Sequence, residues 1–471
     1  MENALEYHEP SIVTILLQSS FLVSSNAVRY LLDRLLACGI VGQIFIGILF
    51  GEPSNFRLLT PDFQRAVVSL GYLGLILLCF QGGTHSSLAD LWANKHLSFA
   101  IALTGILLPI TLSFLLIPII NASLATGSAD VTALQAFAAG AALSATSLGT
   151  SLSIISVAGL QHEKVGIILS SAAMMDDVVG LILIAITKSL GLHQESIGSA
   201  VARPIAASFG SVVVLSVLLW TLQQNLPAFR WLTTHHHLKS ISGLWRRHGP
   251  ESGLVLQLLT LFTLVSAGTY AGTSPLFMAF LAGVLIAWSS QHESSTKGLV
   301  LHQTIHQRYL QQIQDYLLLP FFFASIGFAI PIRDMFSARV VWQGLLYTVL
   351  MASAKFMTGA WLLLSKESFA SKASPDNANP VLEITRTKAA LLVGFAMMAR
   401  GEVAFLIASI AQSAGIFANS EIYMVIIWAA MLCTVIGPIG TGIVVKTLAV
   451  HRDAVRPVNE YQYEVLPTED M

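Results

Sequence analysis

Two adjacent aspartates, Asp176 and Asp177, lie in the middle of an apolar stretch that runs from Val165 to Ile186. The stretch is long enough to cross a lipid bilayer and contains no other charged side chain. A charge at the bilayer centre costs roughly 2.5–3.5 kcal/mol on insertion scales. Two carboxylates in one span therefore indicate binding of a cation or of protons. The alternative is a buried polar pair that only holds helices together.

Three further charged side chains lie inside apolar segments. Lys355 is in the middle of the stretch 350–361, and Arg400 and Glu402 flank a glycine in the stretch 394–407. With the two aspartates, the set contains three acids and two bases, which is the near balance expected if the charges neutralise one another in a shared interior. Neighbouring residues are about 100° apart around a helix. We therefore expect the two aspartates to have different partners.

A run rich in Ser, Thr and Gly, residues 141–153, predicts a break in another span. Such residues weaken a helix, and their hydroxyls replace lost backbone partners. A break at mid-membrane exposes carbonyls, which bind a hard cation, and helix ends, which need charged partners. Arg400 and Gly401 mark a second break in a corresponding position, as inverted repeats produce. Close helix packing through small residues is the alternative explanation of the run.

Composition sets the class of the protein. The chain has 471 residues, of which 54% are hydrophobic and 11% charged, whereas soluble domains carry about 25% charged residues. This composition predicts a polytopic α-helical membrane protein, and the net charge of −1 gives no sign of nucleic-acid binding. Cys38, Cys79 and Cys433 have neither metal-ligand nor disulfide spacing, so we interpret them as small core residues. The first residues do not have the pattern of a cleaved signal peptide.

Thirteen apolar segments are predicted to be spans, and two of them are short for a bilayer. They cover residues 11–31, 36–51, 64–83, 96–120, 133–158, 164–188, 204–224, 254–272, 275–289, 313–331, 340–364, 388–414 and 421–448. With the N-terminus outside, 17 of the 25 Lys and Arg residues lie on the inner side, 6 lie on the outer side, and 2 lie within spans. This asymmetry predicts an outer or luminal N-terminus and a cytoplasmic C-terminus.

The sequence divides into three parts. Residues 1–10 form a short N-terminal segment, residues 11–448 the transmembrane domain, and residues 449–471 a cytoplasmic tail. His235–His237 lie in a long basic loop and are more simply interpreted as solvated than as a metal site or pH sensor. The sequence is compatible with both the plasma membrane and an endomembrane compartment.

The residues that carry this chemistry resemble the second family of monovalent cation/proton antiporters, in particular the electrogenic sodium/proton antiporters of bacteria. The resemblance covers about residues 11–448. Its motifs are Ser144–Gly149, Met175–Gly180, Lys355, Arg400–Glu402, Gly42–Pro53, Leu77–Gly83 and Leu319–Gly327. One departure follows the glycines of the third span, where many relatives have an acid and this chain has Thr84 and His85.

The resemblance implies an all-α polytopic fold with inverted repeats and two crossed, interrupted helices. It also implies a core part and a dimerisation part that are interleaved in sequence, a homodimer, and an elevator-like movement of the core. Asp177 would bind the monovalent cation or the proton, and Asp176 would pair with Lys355. The remaining expected site residues are Thr146 and Ser147 near the ion at the first break, and Arg400 and Glu402 near the second.

The predicted function is therefore exchange of Na⁺, K⁺ or Li⁺ for protons across a lipid membrane by alternating access, without a cofactor and without enzymatic chemistry. If Asp177 and the coupled Lys355–Asp176 pair each release a proton, two protons exchange per cation and transport moves net charge. The alternatives are a cation channel and a sodium-coupled organic-anion symporter of related fold. An intramembrane aspartyl protease is more remote, because its two aspartates lie on different helices.

Overall fold

The structure is a computed structural model, and the regular structure in its described part is entirely helical. This confirms the all-α fold that composition and span lengths predicted. The described residues are 9–36, 38–52, 58–85, 94–121, 132–147, 160, 163–191, 197–223, 250–292, 308–365, 384–417 and 420–455.

The longer helices follow the predicted apolar segments in order. In the first half of the chain they are α1 Ile12–Leu36, α2 Gly39–Phe50, α3 Pro61–Thr84, α4 Lys95–Ser113, α5 Leu116–Asn121, α6 Ala133–Ser144, α7 Lys164–Gly191 and α8 Ile197–Gln223. In the second half they are α9 Pro250–Ala271, α10 Pro275–His292, α11 Leu319–Phe328, α12 Ala338–Phe356, α13 Ala360–Leu364, α14 Arg386–Met398, α15 Glu402–Ser413 and α16 Ser420–Val455.

Every one of the thirteen predicted spans contains a described helix. By length and composition, nine helical segments of the described chain are long and apolar enough to cross a membrane, and Gly39–Phe50, Ala133–Ser144 and Pro275–Trp288 are shorter apolar helices. The span predicted at 313–331 begins with a π-helical turn, Gln314–Leu318. The span predicted at 340–364 contains a 3₁₀ turn, Met357–Gly359. Both irregular turns were missed because the apolar pattern continues through them.

The helices form two bundles. In the first bundle α1 packs on α2, α11 on α2 and α3, α10 on α3, and α9 on α10. In the second bundle α4 packs on α6, α7 and α12, α15 on α6 and α7, and α12 and α14 on α16, while α8 packs on α7. Contacts between the bundles are sparse and include those of α7 with α10 and of α15 with α11.

Glycines allow close backbone contact within the first bundle. Gly83 of α3 and Gly283 of α10 face each other, and a Cβ atom on Gly283 would lie 2.9 Å from the Gly83 Cα. Similarly, a Cβ atom on Gly71 would lie 2.6 Å from the Phe322 Cα in α11. Such small-residue contacts are the usual way in which helices associate in a membrane, where apolar burial gives little advantage over lipid.

Candidate functional site

Two interrupted helices cross near the middle of the second bundle. Helix α6 ends at Ser144, and Ala145 has extended backbone angles (φ −64°, ψ 140°). Helix α14 ends at Met398, and Ala399 is extended in the same way (φ −60°, ψ 130°) before α15 begins at Glu402. Both predicted breaks are therefore present. Residues 148–159 of the first interrupted span lie outside the described residues.

The extended segments contact each other directly. The Ser147 backbone N–H donates to the Ala399 carbonyl at 2.8 Å, and Arg400 Nη1 donates to the Ala145 carbonyl at 3.1 Å. A Cβ atom on Gly401 would lie 2.6 Å from the Ser147 Cβ, so only glycine fits here without displacing the other extended segment. The crossing thus supplies partners for backbone groups that have left their helices.

Arg400 binds a backbone carbonyl at the first break. Its side chain is fully buried, and among the described residues it forms no ion pair with a carboxylate. It instead bonds to the carbonyl that follows α6, where the helix dipole is negative. The Thr434 hydroxyl donates to the Arg400 carbonyl at 3.0 Å and attaches the second break to α16. Arg400 lies at the second break, and its side chain hydrogen bonds to the backbone of the first break.

Asp176 and Lys355 form the predicted ion pair. Asp176 Oδ2 lies 2.8 Å from Lys355 Nζ, and both side chains have no exposed area. Lys355 Nζ also donates to Thr146 Oγ1 at 2.7 Å. The Thr146 hydroxyl hydrogen bonds to Asp176 Oδ2, with the Met397 carbonyl 3.3 Å away as a second acceptor. We call Thr146, Asp176 and Lys355 the ion-pair network; it joins the first break to α7 and α12.

The surroundings of Lys355 leave room for its ammonium group. A Cβ atom on Gly105 of α4 would lie 3.2 Å from Lys355 Nζ. Just beyond Lys355 the helix tightens into the 3₁₀ turn, and the Thr358 hydroxyl donates to the Lys355 carbonyl at 2.6 Å. Neither Gly105 nor Thr358 could be identified from the sequence, because a single glycine or threonine in an apolar span has no distinctive pattern.

Asp177 differs from its neighbour in every contact. It is half-buried, its Oδ1 atom is buried without a hydrogen-bond partner among the described residues, and it forms no ion pair with any of them. One turn later, Gly180 packs at the crossing, where an added Cβ would lie 3.2 Å from Val403 Cγ1 and 3.5 Å from the Ala145 Cβ. Asp177 is therefore a carboxylate without a counter-charge beside the two breaks.

Glu402 begins α15 and is half-buried. The positive end of a helix dipole stabilises a carboxylate there. Cys79, which we interpreted as a core residue, lies near both Glu402 and Asp177 on α3 of the first bundle. The sequence gives no sign of this proximity. Cys38 and Cys433 are buried thiols.

The remaining histidine predictions concern sites away from the crossing. His85 is exposed at the end of α3, with Nδ1 2.8 Å from the Gln81 carbonyl. His235–His237 and the end of the tail, residues 456–471, lie outside the described residues. Within the described part, no group of three or more His, Cys, Asp or Glu side chains is arranged to hold a metal ion.

Comparison with known proteins places this site in context. The sequence profile of the transmembrane sodium/hydrogen exchanger matches residues 21–447. The chain is 25% identical over 425 residues to the Na⁺/H⁺–K⁺ antiporter GerN of Bacillus cereus, in a match covering 88% of this chain and 92% of GerN. It is 24% identical over 405 residues to a Na⁺/H⁺ antiporter of Enterococcus hirae, covering 85% of this chain and 90% of that protein.

A solved structure has the same fold. The sodium proton antiporter MjNhaP1 from Methanocaldococcus jannaschii superposes with a TM-score of 0.60 over 93% of this chain and 99% of that chain, at 14% sequence identity. At this identity the likeness establishes the architecture alone.

Proposed function

Because the chain belongs to the sodium/hydrogen exchanger family, and is accordingly a cation/proton antiporter rather than an enzyme, we propose that Asp177 is the group at which cation and proton compete. The observation that carries this proposal is the contrast between the two aspartates. Asp176 is neutralised by Lys355 at 2.8 Å, whereas Asp177 has a buried oxygen without a partner in the described part of the chain.

Competition for one carboxylate gives exchange. A carboxylate that coordinates a cation must be ionised, so a bound proton and a bound cation exclude each other. If only the loaded forms of the site cross between the two sides, inward movement of one species requires outward movement of the other. Thr146 and Ser147 supply a hydroxyl each at the first break, both almost fully buried. We propose that these two hydroxyls contribute oxygen ligands beside Asp177.

The ion-pair network has a positioning role in this proposal. Thr146, Asp176 and Lys355 connect three separate segments, so the network holds the first break against α7 whichever ion Asp177 carries. The movement that exposes the site to each side in turn is assigned to the second bundle, which contains both breaks. The sparse contacts between the bundles support a rigid-body displacement of this kind.

The transported cation is proposed to be Na⁺ or K⁺, with Li⁺ as a further substrate. The name of GerN includes both Na⁺ and K⁺, and that of the Enterococcus hirae relative includes Na⁺. We further propose that more than one proton is exchanged per cation, so that transport moves charge. A homodimer and an outer or luminal N-terminus complete the proposal and rest on the family resemblance and on the distribution of Lys and Arg.

Proton flux in proteoliposomes tests the assignment of Asp177. A gradient of Na⁺, K⁺ or Li⁺ is imposed on vesicles containing a pH-sensitive dye, without any organic solute. We expect Asp177→Asn to reduce cation-driven proton flux to the level of protein-free vesicles, because the amide cannot ionise. Asp62→Asn is the matched control, because Asp62 pairs with Arg65 on the surface and its side chain is 92% exposed.

Each outcome distinguishes a class of function. Wild-type exchange by Asp177→Asn would overturn the site assignment. Cation flux without proton flux would indicate a channel, and flux that requires an organic anion would indicate a symporter. A potential-sensitive dye in the same vesicles measures charge movement, and strictly electroneutral exchange would contradict the multiple-proton scheme while leaving antiport intact.

A further inference from the structure

The charges around the crossing do not cancel pairwise. Lys355 is neutralised by Asp176 at 2.8 Å. Arg400 donates to the Ala145 carbonyl at the end of a helix and forms no ion pair with a carboxylate of the described residues. Among the described residues this leaves two acids of the site, Asp177 and Glu402, without a cationic side chain.

Helices α7 and α15, which carry these two acids, pack against each other. Gly180, one turn after Asp177 on α7, packs against Val403, and an added Cβ at Gly180 would lie 3.2 Å from Val403 Cγ1. Glu402 is adjacent to Val403 in the first turn of α15. Glu402 is close enough to Asp177 for the two carboxylates to interact electrostatically. Two carboxylates this close in a poorly solvated site cannot both stay ionised unless a cation or protons join them.

Both acids lie on helices that border the first bundle. Helix α7 contacts α10, and α15 contacts α11. Cys79 of the first bundle lies near both carboxylates. Asp177 Oδ1 is buried and has no hydrogen-bond partner among the described residues. Both acids are half-buried, in contrast to the fully enclosed Asp176.

We propose that Glu402 is the second carboxylate of the cation site, and that cation binding displaces one proton from Asp177 and one from Glu402. The proposal rests on the proposed function of Asp177 and revises the origin of the second proton. The sequence indicated the Lys355–Asp176 pair as that origin, but those two residues form a closed network with Thr146. In the loaded state one monovalent cation bridges two ionised carboxylates, and in the unloaded state each carboxyl carries its own proton.

The test is the apparent KM for Na⁺ and for K⁺ in proteoliposomes, measured by proton flux at several pH values. In the acidic pH range, where the carboxyl groups are protonated, the apparent KM falls as the pH rises. It falls about 100-fold per pH unit when two protons compete with one cation, and about tenfold per pH unit when one proton competes. We expect Glu402→Gln to raise the apparent KM about tenfold or more, because half of the negative charge is lost. We also expect the pH dependence to change from the steeper to the shallower slope.

Two further variants separate binding from folding. Glu402→Asp keeps the carboxylate and shortens its reach, so we expect a raised KM with the steep slope retained; a wild-type KM for this variant would overturn the proposal even if Glu402→Gln fails to fold. Glu421→Gln makes the same chemical change in the first turn of α16, 13 positions before the threonine that contacts Arg400. It should leave the KM and its slope unchanged.

The outcomes for the two acids are distinguishable. Loss of exchange in Asp177→Asn together with a wild-type KM and slope in Glu402→Gln would overturn the role of Glu402 and leave the proposed function standing. A raised KM with an unchanged steep slope in Glu402→Gln would overturn the proton-carrying role. Normal exchange in Asp177→Asn would overturn both proposals.

Discussion

Removing Lys355 should destabilise the protein more than removing both members of its ion pair. The Asp176 carboxylate has no exposed area, and after Lys355→Ala its only remaining partner in the network is the Thr146 hydroxyl. Breaking a buried ion pair by removing one partner costs about 3–5 kcal/mol, because an uncompensated charge stays buried. We therefore expect Lys355→Ala to lower the free energy of unfolding by about that amount.

The double variant sharpens this prediction. Replacing both charges with apolar groups is often nearly neutral, so Asp176→Ala combined with Lys355→Ala should recover much of the loss caused by Lys355→Ala alone. Residues in contact usually have interaction energies of roughly 0.5–3 kcal/mol in a double-mutant cycle. We expect the interaction energy between Asp176 and Lys355 to lie at the upper end of this range or above it. Thermal unfolding of the purified protein in detergent gives the order of stability of the four proteins.

An exposed lysine provides the control. Lys446 lies on the exposed side of α16, and Lys446→Ala should change the unfolding temperature little. If Lys355→Ala unfolds at the wild-type temperature, or if the two single losses simply add in the double variant, the ion pair does not stabilise the fold as argued. Contacts elsewhere in the protein would then have to offset the cost of burying both charges.

Two further substitutions test the crossing. Gly401→Ala should destabilise the protein by about 1–3 kcal/mol and lower the rate of exchange, because the added Cβ would lie 2.6 Å from the Ser147 Cβ. Gly442→Ala is the control, because a Cβ there meets nothing within 4 Å. This control should be neutral or slightly stabilising in the same thermal assay. Thr146→Val should lower the free energy of unfolding by about 1–3 kcal/mol, because Lys355 and Asp176 each lose a hydrogen-bond partner. Thr111→Val is the control, because the exposed Thr111 hydroxyl bonds only within its own helix. A loss of stability in Thr146→Val no larger than in Thr111→Val would contradict this role of Thr146.

Span lengths were sufficient to predict the helical fold, because an apolar run of sufficient length is recorded directly in a sequence. The near balance of the intramembrane charges predicted that they neutralise one another, since ionisable side chains are too costly to bury unpaired, and the family resemblance supplied the pairing of Asp176 with Lys355. The break at Arg400 and Gly401 was predictable for the same reason, since a charge and a glycine interrupt an apolar pattern. The first break was indicated by its density of Ser, Thr and Gly.

Backbone partners and inter-helix distances could not be predicted. The acceptor of Arg400 is the Ala145 carbonyl, and a carbonyl leaves no mark on a sequence because every residue has one. The proximity of Glu402 to Asp177 depends on how α15 packs against α7, and thus on Gly180 and Val403, whose residue types are ordinary in a span. The space beside Lys355 likewise depends on Gly105, which only the packing of α4 identifies.

The ion-pair network also constrains how the chain is made. Asp176 and Lys355 are 179 positions apart, so at a synthesis rate of about 5–20 residues/s the aspartate waits roughly 10–35 s for its lysine. During that interval α7 carries two carboxylates without their principal cation, and its residence in the bilayer is at its least favourable. Assembly of the second bundle is therefore a late event, completed only when α12 arrives, and variants of Lys355 should be cleared by quality control before they reach their membrane.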